Sequence, residues 1–432
     1  MSLFRPLLCL VCILGVLLSG CAPSENTTRS SSSASSEAAS SGPAARLAST
    51  HEDVRTIQVY AGTPRDLPIA TLGSGETVTL AFDLMGRDAR PLSISFHHAD
   101  RTWERDLSTS QFMESFATDL LTNYRRSQGT QQPYVHYTYT FPNNDIRFRI
   151  SGNYILRVTE QGNPDAVLFE RPFFIDESAG TLNVSGESVV VTGQRQPSLR
   201  PVARFTPPDA LGGNSFDYNV CFVRNGEWTR TRCSERPGLM ERPALLFELE
   251  RSNAYAPRAL AYGVDLSNLR AGGDIERVDR STSPYQVLLE PDAAQFPDLG
   301  LLFNGQVLGP DVGAFGRSNP ATTAEYVRTT FAFVPPNEQR LPRPPALRGT
   351  FGDPPPSPGV SMTWVPSRQR YEGDVLLKQG RYQYAYETDA ATRALTQRQS
   401  ASMTDDIYTT FVYYRDLSRN TDRLLSVGTL RP

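Results

Sequence analysis

Chemistry at neutral pH would have to start from four histidines and five cysteines, and from the carboxylates and hydroxyls that converge on them. His97 and His98 are neighbours, so on a strand their side chains point to opposite faces, and His98 shares its face with Leu92, Ile94 and Phe96. That places His98 at the edge of a core, as a hydrogen-bonded side chain rather than a ligand. His136 lies on the face opposite Tyr137 and Tyr139, and His51 stands far upstream. No two histidines have a metal-ligand spacing. Asp405-Asp406 is a carboxylate pair, but strand neighbours point apart, so it reads as solvated rather than as an acid and base flanking a cleft. The sequence has no Gly-x-Ser-x-Gly elbow and no glycine-rich phosphate loop leading into a helix. The expectation is a non-enzyme with no catalytic residue, no metal site and no cofactor.

The cysteines carry a different message. Behind Arg5 runs an apolar stretch from Leu7 to Leu18, too short to span a bilayer comfortably and suited to an export signal. Its end, Leu18-Ser19-Gly20-Cys21, resembles the lipobox of bacterial lipoproteins. Residues 1–20 are then a signal peptide that removes Cys9 and Cys12, and Cys21 is the expected lipidated N-terminus. Ala22 follows with no aspartate to hold the protein at the inner membrane. By that resemblance the protein is expected at the outer membrane, lipid-anchored and facing the periplasm. Residues 21–50, rich in Ser and Ala, cannot bury enough apolar surface to offset their ordering entropy and read as a tether. Cys221 and Cys233 are the remaining thiols, and an oxidising compartment permits a disulfide. With Asn225-Gly226 as a two-residue turn, Cys221 would face Arg230 and Cys233 would lie on the other face of the ribbon. A bond then needs a bulge, or a strand that ends before Cys233; bonded and free states both stay open.

The elements that must position these residues are strands. A chain of 432 residues that is 39% hydrophobic holds two to four ordinary domains, and a net charge of -3 gives no long-range attraction to nucleic acid. Lys378 is the only lysine, a bias we attribute to genome base composition and give no functional weight. From Val54 the apolar period is two: Val78, Leu80, Phe82 and Leu84, then Leu92, Ile94 and Phe96, then Val135, Tyr137, Tyr139 and Phe141. Phe112, Phe116, Leu120 and Tyr124 instead recur every fourth residue, which fits a short helix over 110–124. An extended crossing over the open end of a sandwich would bury the same aromatics. The expected layout is an N-terminal β-sandwich at 51–177, a second β domain at 178–334, a Pro-rich linker at 335–345 and a C-terminal early-set-like sandwich at 346–432. The fold class is all-β: tandem antiparallel β-sandwich domains, immunoglobulin-like or early-set, with little helix.

Several strings carry a family resemblance. They include His98 with Trp103, Gln132-Pro133-Tyr134-Val135-His136-Tyr137, Phe141-Pro142-Asn143-Asn144-Asp145 and Ser151-Gly152-Asn153-Tyr154-Ile155-Leu156. Further on come Asn225-Gly226-Glu227-Trp228, Tyr371 through Tyr382, and Phe411-Val412-Tyr413-Tyr414-Arg415. Together they resemble the plug protein family of the type IX secretion system. Pro354-Pro355-Pro356 departs from the family's pattern, which has a short loop with a tryptophan there. The resemblance implies a non-enzymatic subunit that closes the periplasmic end of the outer-membrane translocon, its partner, while Cys21 supplies the membrane contact. The rival reading is a periplasmic carbohydrate-binding lipoprotein, because sandwiches with exposed aromatics bind sugars. Trp103, Trp228 and Trp364 are too scattered along the chain to form one platform.

Overall fold

Period-two alternation becomes strand through most of the chain. The computed structural model describes residues 47–193, 196–211, 214–241, 243–257, 262–293, 310–353, 359–388 and 406–432. The signal peptide, Cys21, all but the end of the tether, Asp405 and Pro354-Pro355-Pro356 lie outside the described residues.

The first block comprises β1 (Val54–Ala61), β2 (Ile69–Thr71), β3 (Val78–Met85), β4 (Leu92–Ala99), helix α1 (Thr109–Phe112), β5 (Thr118–Leu120), β6 (Tyr124–Arg126), β7 (Tyr134–Phe141), β8 (Gly152–Glu160) and β9 (Asn163–Asp176). They form two sheets, ordered β1-β3-β7-β6 and β2-β9-β8-β4-β5, antiparallel except for β2 against β9. The inward residues of both sheets, among them Leu80, Phe82, Phe96, Tyr137 and Phe173, make one core. Phe141 meets Phe173 edge to face at 4.8 Å.

Between residues 110 and 124 only the start is helical. After Phe112 the chain extends, β5 pairs with β4 in one sheet, and β6 pairs with β7 in the other. The segment therefore crosses between the two sheets. The four-residue recurrence did not mark a buried stripe, because Phe112 enters the core while Phe116, Leu120 and Tyr124 remain 81%, 43% and 46% exposed.

Then follow β10 (Thr181–Val189), β11 (Ser198–Thr206), β12 (Tyr218–Arg224), β13 (Arg232–Ser234), β14 (Leu239–Glu241) and β15 (Ala244–Glu248). A third set begins with β16 (Tyr262–Asp265), β17 (Ile275–Asp279), β18 (Gln286–Leu289), β19 (Asp292–Ala293) and β20 (Asp311–Val312). It continues through α2 (Pro320–Thr323), β21 (Tyr326–Val334), β22 (Ala346–Gly349), β23 (Val360–Ser361), β24 (Thr363–Val365), β25 (Arg370–Lys378) and β26 (Gly380–Glu387). The chain ends with β27 (Tyr408–Asp416) and β28 (Thr421–Leu430).

These strands do not respect the expected boundary at 335–345. One sheet of the third sandwich runs β17-β18-β21-β25-β24 and the other contains β16-β26-β22-β23, so strands on both sides of the proline-rich stretch share a single core. Leu341, inside that stretch, packs on this core and donates its N–H to the Tyr371 hydroxyl at 2.9 Å. Proline interrupts a strand locally but says nothing about which distant strands pair across the break. The second sandwich is discontinuous. Its sheets are β10-β11-β15-β14 and β13-β12-β27-β28, and β12 pairs with β27 across the whole inserted third sandwich. Parallel pairs occur where β21 meets β18 and β19. Among the described residues no helix is long and apolar enough to cross a membrane.

Candidate functional site

Alternation in β3 sends Phe82 inward and Asp83 outward, yet Asp83 is fully buried because the third sandwich covers that face. Asp83 Oδ1 pairs with Nδ1 of His136, its register partner on β7, at 2.7 Å. Its other oxygen accepts from Lys378 Nζ at 2.6 Å and from the Tyr326 hydroxyl at 2.7 Å. Tyr326 in turn accepts from Thr56 Oγ1 at 2.5 Å, closing a chain of polar contacts that crosses the junction.

Lys378, at the end of β25, also donates to the Ala321 carbonyl at 2.6 Å and lies 4.2 Å from the centre of the Tyr134 ring. Burial pushes its ammonium below the ordinary lysine range, and the Asp83 carboxylate pulls it back. Burial and the Asp83 charge both push the Tyr326 and Tyr382 phenols upward, so they stay protonated and available to donate. Beside the ion pair, Gln379 and Glu325 exchange backbone and side-chain bonds, and the Glu325 carboxylate accepts from the Gln131 N–H at 3.0 Å. Two strings quoted above, residues 132–137 and 371–382, thus meet in one buried junction. Asp83 and Lys378 are paired and Glu325 accepts a backbone N–H from the first sandwich, so the arrangement ties the two sandwiches together.

A second junction joins the first sandwich to the second. Arg423 holds the Glu177 carboxylate with two bonds of 2.7 and 2.6 Å, and Tyr413 donates to Asn153 at 2.8 Å. Around them Trp103, Phe174, Trp228 and Phe411 pack ring on ring, with Phe174 4.7 Å from Trp228. Cys221 lies in this cluster and is bonded to Cys233. The pairing corrects the register drawn from Asn225-Gly226. After that turn the chain makes a 3-10 turn at Trp228–Arg230, and the added residues bring Cys221 directly opposite Cys233.

The remaining histidines stay apart. His98 is buried, with Nδ1 2.7 Å from Asp106 and Nε2 3.2 Å from the Ser151 carbonyl. Thr421 bonds the other Asp106 oxygen, tying β28 to the same carboxylate. His97 faces outward near Arg105, Arg157 and Glu170, and burial with the two guanidinium charges lowers its pKa to about 4. His51 lies beside Asp53 at the surface. Asp406 is not solvated as expected; it is buried and accepts from Asn225 Nδ2 at 2.8 Å. Among the described residues no cluster of His, Cys, Asp or Glu could hold a metal ion. Trp103 and Trp228 are engaged between sandwiches, and Trp364 packs 5.0 Å from the Tyr371 ring, so none is free to form a sugar platform.

Next to the ionic junction the surface opens into a groove of about 590 Å3. Arg125 and Arg126 of β6 line one wall; Ser318, Asn319, Thr322 and Thr323, in and beside α2, line the other. The Thr322 carbonyl accepts from the Gln128 N–H at 2.9 Å and closes one end.

Comparison with known proteins bears on this arrangement. No curated protein matches the chain. The fold is similar to the crystal structure of a hypothetical protein from Parabacteroides merdae ATCC 43184, with a TM-score of 0.78 and 21% identity over 89% of this chain and 99% of that one. At that identity the likeness establishes the fold alone. Residues 54–177 match the family model described as Type 9 secretion system plug protein 1st domain. That match spans the first sandwich of this chain, which supplies Asp83 and His136 to the ionic junction and β6 to the groove, so this part of the chain is similar to the first domain of type IX secretion plug proteins.

Proposed function

We infer that this chain is a non-enzymatic plug that closes the periplasmic end of the type IX outer-membrane translocon, held at the membrane by a lipid on Cys21. The observation that carries the reading is the bracing of a plug-family first domain on two sides. Asp83–Lys378 locks it to the third sandwich and Glu177–Arg423 to the second. A channel wide enough for folded cargo passes small solutes whenever it stands empty, and blocking it requires a body that does not flex apart. Charge-assisted contacts at both junctions, fully buried at Asp83–Lys378 and partly buried at Glu177–Arg423, meet that requirement without chemistry. The lipid and tether keep an undocked plug at high local concentration near its channel.

Deleting the gene should leave the translocon assembled while making cells sensitive to vancomycin, a solute normally excluded by the outer membrane. Sensitivity should disappear when the translocon gene is deleted as well. A single mutant as resistant as its parent, with the translocon present and free of cargo, overturns the sealing role. In the same strains Cys21→Ser should move the protein from the membrane fraction to the soluble periplasm.

A further inference from the structure

The groove adjoins an open sheet edge. β6 is the terminal strand of its sheet, and its pairing fixes which backbone groups face outward. Thr138 donates to the Asn123 carbonyl and Ser127 donates to the Tyr134 carbonyl, so residues 123, 125 and 127 turn toward β7. The N–H and C=O groups of Tyr124 and Arg126 therefore point away from it. An outward donor and acceptor at two-residue spacing is a template for another extended strand.

The side chains say which strand. No carboxylate is among the groove's lining residues. Arg125 is exposed and, among the described residues, pairs with no acidic group; Arg126 donates Nε to the Arg87 carbonyl at 3.0 Å, and its one acidic neighbour among the described residues is Asp88, at 3.9 Å, with both side chains largely exposed. A second copy of this chain laid along the same edge would set arginine against arginine, which disfavours self-pairing. Tyr124, 46% exposed, offers an aromatic face beside the guanidinium groups. The opposite wall presents Ser318 and the Asn319 amide to a polar backbone, while the Thr323 hydroxyl beside them donates to the Ser318 and Asn319 carbonyls at 2.9 and 3.1 Å. The groove's width is set by the ionic junction, because Ala321 in the α2 wall is held by Lys378.

We propose that the open edge of β6 receives an extended, acidic segment of the channel protein as an added strand, with its carboxylates on Arg125 and Arg126. This rests on the plug reading and names the surface through which that plug docks. Main-chain bonds to Tyr124 and Arg126 supply the register, and the two arginines select the charge.

The test is co-purification of the detergent-solubilised translocon with the tagged full-length chain, at low and moderate salt. Two variants address the two halves of the claim. Arg125→Glu reverses the charge. Arg126→Pro removes an N–H that points away from β7, so it blocks the edge while leaving the β6–β7 ladder intact. Each should lower recovered translocon about tenfold with an unchanged unfolding temperature. Leu417→Asp, at an exposed position on the C-terminal hairpin, should bind as the parent does. Parental binding should also weaken with salt. Retention by Arg126→Pro overturns the added strand, and retention by Arg125→Glu overturns the acidic segment. If the unmodified chain recovers no translocon at all, the plug reading fails and this one falls with it.

Discussion

Lys378 Nζ and Asp83 Oδ2 lie 2.6 Å apart although 295 residues separate them in the chain, and both side chains are fully withdrawn from solvent. Removing one charge strands the other in a low-dielectric site. Lys378→Met should therefore destabilise the protein by about 3–5 kcal/mol, read by urea unfolding. The double variant Lys378→Met with Asp83→Leu should recover much of that loss, because it buries no unpaired charge. Equal losses in single and double variants would mean that packing rather than charge holds the junction.

His97 sets a pH dependence. Burial and the nearby Arg105 and Arg157 lower its pKa from the ordinary 6.5 to about 4, against the opposing pull of Glu170. In that interval the unfolded chain binds more protons than the folded one. This contribution to stability is complete above pH 6.5 and is lost as pH falls toward 4. Thermal unfolding across this range should show the slope, and His97→Gln should flatten it.

Gly152 opens β8 with a φ of +148°, and a Cβ added there would stand 2.3 Å from His98 Nε2. The close approach lets His98 reach the Ser151 carbonyl. Gly152→Ala should displace the imidazole from its bonds and lower stability by about 2–4 kcal/mol, measured by calorimetry. A variant as stable as the parent would show that the ring has room to move.

The bond between Cys221 and Cys233 closes a short loop, with a sequence separation of 12. By loop-closure entropy such a bond is worth about 3 kcal/mol. The paired serine variant should lose that amount, and the unmodified protein should lose it on reduction. No shift in the unfolding transition upon reduction would show that the second sandwich does not depend on it.

Much of the first sandwich was legible in the sequence because its core residues alternate, and His98 was placed correctly by the face it shares with Phe96. The all-β class followed from the same alternation. Lys378 was passed over for two reasons. Its rarity had a compositional explanation, and its partner lies on a strand that local pattern cannot associate with it. The cysteine register was misjudged because Asn225-Gly226 has the chemistry of a complete two-residue turn, while the extra turn at Trp228–Arg230 has no comparable mark. Over 110–124 the aromatic spacing left a short helix and an extended crossing both open, and the structure has a helical start followed by the crossing. Spacing reports which side chains align, not whether anything covers them, and Phe116 is covered by little. The groove was invisible for a related reason, since one wall comes from β6 and the other from residues near α2.

The interrupted second sandwich also governs the order in which the protein can assemble as the chain is made. β12 emerges early but finds β27 only after the entire third sandwich has been delivered, so its edge must wait unpaired even though Tyr218, Val220 and Phe222 share a core with β11 and β15. The disulfide requires only the neighbouring β13 and is available throughout that wait. A chain halted after β26 would lack the strands that shelter Trp103 and Phe174. Damage to the last residues made is then felt first at the flank of the first domain.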